Sequence, residues 1–321
     1  MSIMSSTSST TITADSGATD AIKRLHASIS KVLFGNSAAI DRVLCCLLAR
    51  GHLLIEDVPG VGKTVLATAL ARSLDCTFSR VQLTPDLLPS DILGVSVYDK
   101  SSGGFTFQKG PVFANIFLAD EINRTPPRTQ SALLEAMNEA TVSVDGKVLV
   151  LDPPFMVIAT QNPFDFEGTY QLPENQLDRF LMRISLGYPS PAEESRVLEQ
   201  RPASSPLHTL SPVLSKSEII GLQARVDAVR VDPVLRDYIV SIATATRRHN
   251  ALVHGLSPRG SLALAQVARA RALMLGRDYV IPDDISTSVG PVCAHRVIAK
   301  SGSTDTSSLL REIMQSIPSP A

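Results

Sequence analysis

A glycine-rich segment of eight residues, Asp57–Thr64, lies between the apolar run His52–Glu56 and a helical pattern. The run has strand length, and the segment ends in Gly-Lys-Thr, as phosphate-binding loops do. Such a loop needs a strand before it and a helix after it, because loop N–H groups and the helix N-terminus together surround phosphate oxygens. The segment therefore requires a strand, loop and helix in succession, which is a unit of an α/β fold.

The loop supplies the first candidate site residues. Lys63 is expected to neutralise the β- and γ-phosphate oxygens of a nucleotide, and Thr64 to ligate Mg²⁺. Asp57 stands where the generic pattern has glycine, so an ordinary glycine-rich turn is the alternative, but the complete Gly-Lys-Thr ending favours a phosphate loop. The candidate nucleotide-binding residues here are Asp57, Val58, Pro59, Gly60, Val61, Gly62, Lys63, Thr64 and Val65.

Two later strand patterns also end in polar residues. Asp120 and Glu121 follow the apolar run Ile116–Ala119, and Asn162 comes shortly after Phe155–Thr160. Parallel strands present their carboxyl ends at the ligand-binding edge of an open sheet, so these residues should lie near the phosphate loop. Asp120 is assigned to the Mg²⁺ shell and Glu121 to the general base that activates water, while Asn162 would orient that water or contact the γ-phosphate. Taken alone, the two carboxylates would be a solvated strand end and the asparagine a turn former.

The succession of patterns indicates the fold class. Strands and helices alternate as far as Pro189, which predicts a mostly parallel sheet sandwiched by helices. Two hairpins interrupt this order, one near 94–115 and one at 141–150, where Asp-Gly suits a type I′ turn. Only helical patterns follow Pro189. The expected organisation is a disordered Ser/Thr-rich tail at 1–19, an α/β core at 20–204 and an all-α lid domain at 205–321.

Composition limits the classes of partner. The 321 residues include 30 Lys and Arg against 31 Asp and Glu, a formal net charge of −1 that gives no general attraction to nucleic acid. The start of the sequence lacks the basic and apolar parts of a signal peptide, and no apolar run approaches bilayer length. We therefore expect a cytoplasmic protein without membrane insertion. The four cysteines lack CxxC spacing and the six histidines lack HExxH or similar ligand spacing, so no metal beyond Mg²⁺ is assigned.

Three longer stretches make a family resemblance visible. They are IFLADEINRTPPRTQSALLEAM, PFMVIATQNP and EGTYQLPENQLDRFLMRI. With them, the chain resembles the MoxR family of AAA+ ATPases from about Gly35 to Arg271. The resemblance implies a P-loop AAA+ core followed by a lid, with ATP and Mg²⁺ as cofactors, and a ring of subunits, expected to be a hexamer. It also implies a protein client and a partner with a von Willebrand factor A domain.

The resemblance assigns further roles that spacing does not show. Arg179, in LDRF, matches the arginine finger that reaches into a neighbouring subunit's site, although an arginine after Asp178 could also form a simple surface ion pair. Arg259, in GLSPRGSLAL, matches the lid arginine called sensor 2, which touches the nucleotide of its own subunit. The 94–115 segment matches the insert in helix 2, and the 141–150 hairpin matches the insert before sensor 1. Arg124 and Arg128 are further cations that could face a subunit boundary.

Several other functions are weighed against ATP hydrolysis by a MoxR-type protein. A small-molecule kinase is disfavoured because no acceptor site is recognisable, and a GTPase because no Asn-Lys-x-Asp motif occurs. A DNA-remodelling ring fits the inserts but not the near-neutral charge. The ATPase subunit of a metal chelatase, or a nucleotide-gated scaffold with little turnover, stays as an alternative to a chaperone-like ATPase that remodels or matures a client.

Overall fold

The computed structural model describes residues 16–101, 103–163, 168–199, 206–300 and 305–320. Residues 1–15 of the predicted tail lie outside this range, as does the predicted domain boundary at 204/205. Residues 16–19, assigned to the tail from sequence, are instead the first turn of a helix. That helix buries Ala18 and Ile22, so the apolar face begins earlier than the sequence pattern indicates.

Helices and strands alternate as far as Ile184, a little over half of the way along the chain. The helices are α1 (Ser16–Ser30), α2 (Ser37–Leu48), α3 (Lys63–Ser73), α4 (Pro89–Leu93), α5 (Pro127–Glu139), α6 (Glu174–Leu177), α7 (Pro191–Glu199), α8 (Lys216–Ala228), α9 (Pro233–Arg248), α10 (Pro258–Met274), α11 (Pro282–Cys293) and α12 (Thr306–Gln315). The strands are β1 (Leu53–Glu56), β2 (Phe78–Gln82), β3 (Gly94–Asp99), β4 (Gly104–Lys109), β5 (Ile116–Asp120), β6 (Thr141–Val144), β7 (Lys147–Val150), β8 (Met156–Gln161), β9 (Met182–Ile184), β10 (Leu252–His254) and β11 (Ile298–Ala299).

A parallel sheet forms the centre of the core. Among the described residues it has five strands, in the order β2-β5-β8-β1-β9. Strand β5 is buried along its whole length, as are all but the last residues of β1 and β8, because helices cover both faces. The predicted α/β core is confirmed. All five strands point the same way, so the sheet has one carboxyl edge, where the strands end, and one amino edge, where they begin.

Both predicted hairpins are present. Strands β3 and β4 pair antiparallel, and so do β6 and β7. Asp145 and Gly146, which join β6 to β7, have φ angles of 51° and 73°. Positive φ at both central residues is the property of a type I′ turn, which is the physical reason for an Asp-Gly dipeptide here. The two hairpins meet where the Ser96 hydroxyl donates to the Asp145 carboxylate.

Helices α8 to α12 form the lid, with one departure from the all-α prediction. Strands β10 and β11 pair antiparallel, and β11 begins at Ile298, after the end of α11. Helix α11 ends earlier, at Cys293. The lid packs on the core through a shared apolar cluster, in which α10 lies against α2. Two polar contacts fix this packing: Gln223 Nε2 donates to the Leu47 carbonyl (2.8 Å), and Cys45 Sγ to the Val267 carbonyl (3.5 Å).

Candidate functional site

The phosphate loop lies at the carboxyl edge of the sheet, between β1 and α3. Gly60 and Gly62 have φ angles of 85° and 95°, values that glycine adopts without strain, and α3 begins at Lys63 directly after them. Lys63 Nζ donates to the Asp57 carbonyl at 2.7 Å, so the ammonium lies over the loop. Burial lowers the pKa of Lys63, although the charges of Asp57, Asp120 and Glu121 oppose this shift. The cation expected to meet phosphate is therefore in place.

Asp57 has a structural reason to replace glycine. Its Oδ2 accepts hydrogen bonds from Ser185 Oγ (2.9 Å), Leu186 N (2.6 Å) and Gly187 N (2.8 Å), while Oδ1 accepts from Val58 N (3.0 Å). Burial alone would raise the pKa of Asp57, but these four donors outweigh it, and the pKa is lower than its ordinary value. The carboxylate therefore ties the start of the phosphate loop to the segment that follows β9.

The two adjacent carboxylates occupy the end of β5, beside β8. Thr160, fully buried on β8, donates from Oγ1 to Asp120 Oδ1 (2.5 Å) and accepts from Glu121 N (2.9 Å). Glu121 has a φ of 59°, an uncommon conformation for a residue with a side chain. One threonine thus holds both the Asp120 side chain and the Glu121 backbone.

Residues of β2 hold the outer sides of these carboxylates. Arg80 Nη2 donates to Asp120 Oδ2 at 2.8 Å, and Gln82 Nε2 donates to Glu121 Oε2 at 2.7 Å. Arg124 Nη1 also donates to Glu121 Oε2, at 3.1 Å. Arg124 was a candidate for a subunit boundary, and in this structure it partners the candidate general base of its own chain.

Asn162 follows β8 at the same edge of the sheet. It lines a cavity of about 220 Å³ together with Glu56, Gln161 and Asn123, among others. Asn123 Nδ2 donates to the Asn162 carbonyl at 3.4 Å. The structure therefore brings the end of β8 beside the ends of β1 and β5, as the strand patterns predict.

The two arginines assigned by resemblance lie at the opposite edge. Arg179 comes just before β9 begins, at the amino edge. Arg259 Nη2 donates to Asn138 Oδ1 (2.7 Å), and its Nε lies 3.9 Å from Asp178 Oδ2. Asn138 is at the end of α5, next to Met137, whose carbonyl lies 2.8 Å from Nε2 of His52, the residue that precedes β1.

Arg259 was expected to touch the nucleotide of its own subunit, and in this structure it lies at the other end of β1 from the phosphate loop. The four residues of β1, at about 3.3 Å each, separate the amino edge from the phosphate loop. The physical reason is that the lid packs α10 against α2, which directs the start of α10 to the amino edge. Within the described ranges, the Arg179 guanidinium has no hydrogen bond or ion pair with this chain.

The donor set at the carboxyl edge fits magnesium. Thr64 contributes a hydroxyl at the start of α3 and Asp120 a carboxylate at the end of β5, both hard oxygen ligands. Mg²⁺ in nucleotide sites is commonly held by one or two protein oxygens together with phosphates and water. The described residues contain no group of three or more His, Cys, Asp or Glu side chains that could hold a metal without such help.

Sequence reasoning missed three residues of this site. Thr160, Gln82 and Arg80 lie on strands next to β5, and their contacts follow from the order of strands in the sheet, which motif spacing does not show. The available signal was alternation: in β2, Arg80 and Gln82 are two residues apart and therefore lie on one face.

Comparisons with known proteins agree with this geometry. Residues 52–182 match the ATPase family associated with various cellular activities, and residues 244–317 match the AAA lid domain. An uncharacterised Bacillus subtilis protein, YeaC, is 50% identical over 91% of this chain and 92% of its own. Chaperone MoxR1 of Mycobacterium tuberculosis is 42% identical over 86% and 75%. A solved structure from Cytophaga hutchinsonii, assigned as an ATPase, superposes with a TM-score of 0.87 at 36% identity over 95% and 96% of the two chains.

Proposed function

Because the chain belongs to the MoxR family of AAA+ ATPases, we propose that it hydrolyses ATP with Mg²⁺ at the carboxyl edge of its sheet. The observation that carries this proposal is that Lys63, at the start of α3, interacts electrostatically with Asp120 and Glu121 at the end of β5. Cleavage of the γ-phosphate needs charge neutralisation and a positioned water, and these residues supply both kinds of group. Magnesium, bound through Thr64 and Asp120, would add positive charge on the phosphate oxygens.

The remaining roles follow from position. Lys63 would leave the Asp57 carbonyl for the β- and γ-phosphates, to which an ammonium binds more strongly than to a peptide oxygen. Glu121 would accept a proton from the attacking water, after its carboxylate leaves Gln82 and Arg124. Asn162 would contact that water or the γ-phosphate with its amide. Asp57 contributes by fixing the loop, since its carboxylate is already satisfied by four donors.

A ring of subunits would bring arginines to each nucleotide site that the site lacks within its own chain. AAA+ ATPases commonly assemble into rings, and both Arg179 and Arg259 lie at the edge of the sheet that faces away from the phosphate loop of their own chain. In a head-to-tail ring, the amino edge of one subunit can meet the carboxyl edge of the next. We therefore place both arginines at the neighbour's nucleotide, where they would stabilise charge on the γ-phosphate during cleavage.

The work done by hydrolysis is proposed to be remodelling or maturation of a protein client. One relative carries the name chaperone, and the near-neutral charge of this chain does not favour nucleic acid. The two hairpins expose apolar side chains, including Tyr98, Phe105 and Val148, which suit contact with a protein. A partner with a von Willebrand factor A domain is part of this proposal, on the family resemblance alone.

None of the helices in the described part of the chain combines the length and the apolar character that a membrane-spanning segment needs.

Two substitutions test the site. Lys63→Ala should abolish ATP binding in calorimetry, since the cation within the loop is lost. Glu121→Gln should retain ATP binding while hydrolysis slows by roughly 10²–10⁴-fold, because the amide cannot accept the proton from water. Glu139→Gln, the same change at the exposed end of α5, is the matched control and should hydrolyse ATP at the parental rate. Parental turnover by Glu121→Gln would show that the base is another residue.

A further inference from the structure

A buried arginine of the lid makes its hydrogen bonds mainly to the core. Arg296 follows α11, and only 2% of its side chain is exposed. Its Nε donates to Asp178 Oδ1 (2.8 Å), and its Nη2 donates to the carbonyls of Asp178 (3.2 Å) and Phe180 (2.6 Å). Its Nη1 donates to the Leu181 carbonyl (3.1 Å). These partners are all in the four-residue segment 178–181, which also contains Arg179.

A second lid residue contacts the same segment. His295 is buried, and its Nε2 lies 3.0 Å from the Phe180 carbonyl and 2.8 Å from Arg296 Nη1. The segment itself has little regular structure, since α6 before it is only four residues long and β9 starts at Met182. The core holds the backbone of the segment, since Arg179 N donates to the Gln176 carbonyl (3.1 Å) and Leu181 N to the His52 carbonyl (2.8 Å). The lid adds side-chain hydrogen bonds to the Asp178 carboxylate and to the carbonyls on either side of Arg179.

The chemistry of these contacts favours positioning over simple packing. Burying a guanidinium is costly unless its donors are satisfied, and here they bind one carboxylate and several backbone carbonyls in a fixed fork. A hydrogen-bonded fork of this kind defines the orientation of a backbone segment, whereas apolar packing tolerates small shifts. Within the lid, Arg296 also donates to the Val292 carbonyl at the end of α11, so the fork joins that helix to the segment.

We propose that Arg296 is the positioning residue for Arg179, so that the lid of each subunit sets the place of the finger in its neighbour's site. A movement of α11 relative to the sheet would then move segment 178–181 and change the rate of ATP hydrolysis in the neighbouring subunit. This inference rests on the proposed trans role of Arg179. In this proposal Arg296 contacts no nucleotide and acts only through the segment that it binds.

The test uses one conservative substitution and a matched control. Arg296→Lys keeps the charge but lacks the fork. Arg277→Lys makes the same change elsewhere in the lid, where Arg277 binds both oxygens of the buried Asp284 at 2.7 Å and does not contact the segment. Arg296→Lys should reduce ATP hydrolysis by about 10²-fold, the effect of a misplacement of about 1 Å, with ATP affinity unchanged. Arg277→Lys should hydrolyse ATP at close to the parental rate.

Mixing separates positioning from a general structural defect. Arg296→Lys mixed with Lys63→Ala should regain activity, because some interfaces then join an intact site to an intact finger. Arg296→Lys mixed with Arg179→Ala should regain none, since both variants are defective in the same contribution. The proposal would be overturned if Lys63→Ala did not restore the activity of Arg296→Lys under conditions of proven subunit exchange. Parental activity of Arg296→Lys alone would also overturn it.

A measurement that needs no hydrolysis keeps the inference separate from the proposed function. Amide hydrogen exchange across 178–181 should speed up in Arg296→Lys and stay parental in Arg277→Lys. Unchanged exchange in Arg296→Lys would overturn the positioning role whatever the ATPase assay shows. If the unmodified protein failed to hydrolyse ATP while exchange responded as expected, the proposed function would fail and the link from the lid to the segment would stand.

Discussion

The position of Arg179 leads to a quantitative mixing experiment. Arg179→Ala removes a guanidinium that lies at the amino edge, one strand length away from the phosphate loop of its own chain. The variant should therefore bind ATP normally, because Lys63 and the loop are untouched. Its hydrolysis should fall by as much as roughly 10³–10⁵-fold, the range known for arginine fingers.

The recovery on mixing follows from the head-to-tail geometry. In an equal mixture of Arg179→Ala and Lys63→Ala, half of the sites have an intact phosphate loop and half of the neighbours have an intact finger. Each interface is heterologous, so about a quarter of the interfaces join both intact parts. Steady-state phosphate release in the mixture should reach about a quarter of the parental rate, whereas either variant alone is close to inactive.

A double variant is the control for this experiment. Lys63→Ala/Arg179→Ala mixed with Arg179→Ala contains no intact finger, so its activity should not rise above that of Arg179→Ala alone. Subunit exchange is verified separately, with two fluorescent labels. Recovery near zero in the first mixture despite exchange, or parental hydrolysis by Arg179→Ala alone, would refute a finger that acts between subunits.

Two further predictions concern buried polar groups. Thr160→Val removes the hydroxyl that accepts from Glu121 N, so it should destabilise the fold by about 1–3 kcal/mol in urea unfolding and slow hydrolysis. Thr246→Val is the control, because it removes a buried lid hydroxyl that also accepts a hydrogen bond from a backbone N–H. It should destabilise the fold but slow ATP hydrolysis less than Thr160→Val does. Burial lowers the pKa of His52 from 6.5 to about 4, so between these values the unfolded state binds more protons than the folded state, and stability decreases as the pH is lowered. Because of His52, the free energy of unfolding should be about 2 kcal/mol lower near pH 5 than near pH 7.5. His52→Gln should reduce this pH dependence. Part of it should remain, because burial also lowers the pKa of His295.

The sequence predicts the core well because its signals are local. An apolar run before Gly-Lys-Thr defines β1, the loop and α3, and an Asp-Gly between two alternating segments defines the hairpin from Thr141 to Val150. Strand β11 was missed because two residues give no period. It pairs with β10, more than forty residues earlier, and that pairing decides its conformation.

The site was predictable where one motif carries the chemistry and not where neighbouring strands complete it. Lys63 and Glu121 are identified by the residues beside them in the chain. Thr160 becomes relevant only when β8 lies beside β5, and Gln82 only when β2 lies on the other side. Asp57 was recognised as a departure, yet three of its four donors are more than 120 residues away, so no local pattern could show why a carboxylate stands there.

Arg259 shows the limit of motif matching most directly. The residues around it identify a lid arginine, but the subunit it serves depends on which face of the core the lid covers. That choice is made by apolar contacts of α10 with α2 and by the bond from Gln223 to Leu47, groups 176 positions apart. Periodicity in the sequence shows that α10 has an apolar face and does not show its partner. Once α10 packs on α2, its first turn lies beside Asp178 and Asn138, at the opposite edge of the sheet from the phosphate loop of the same chain.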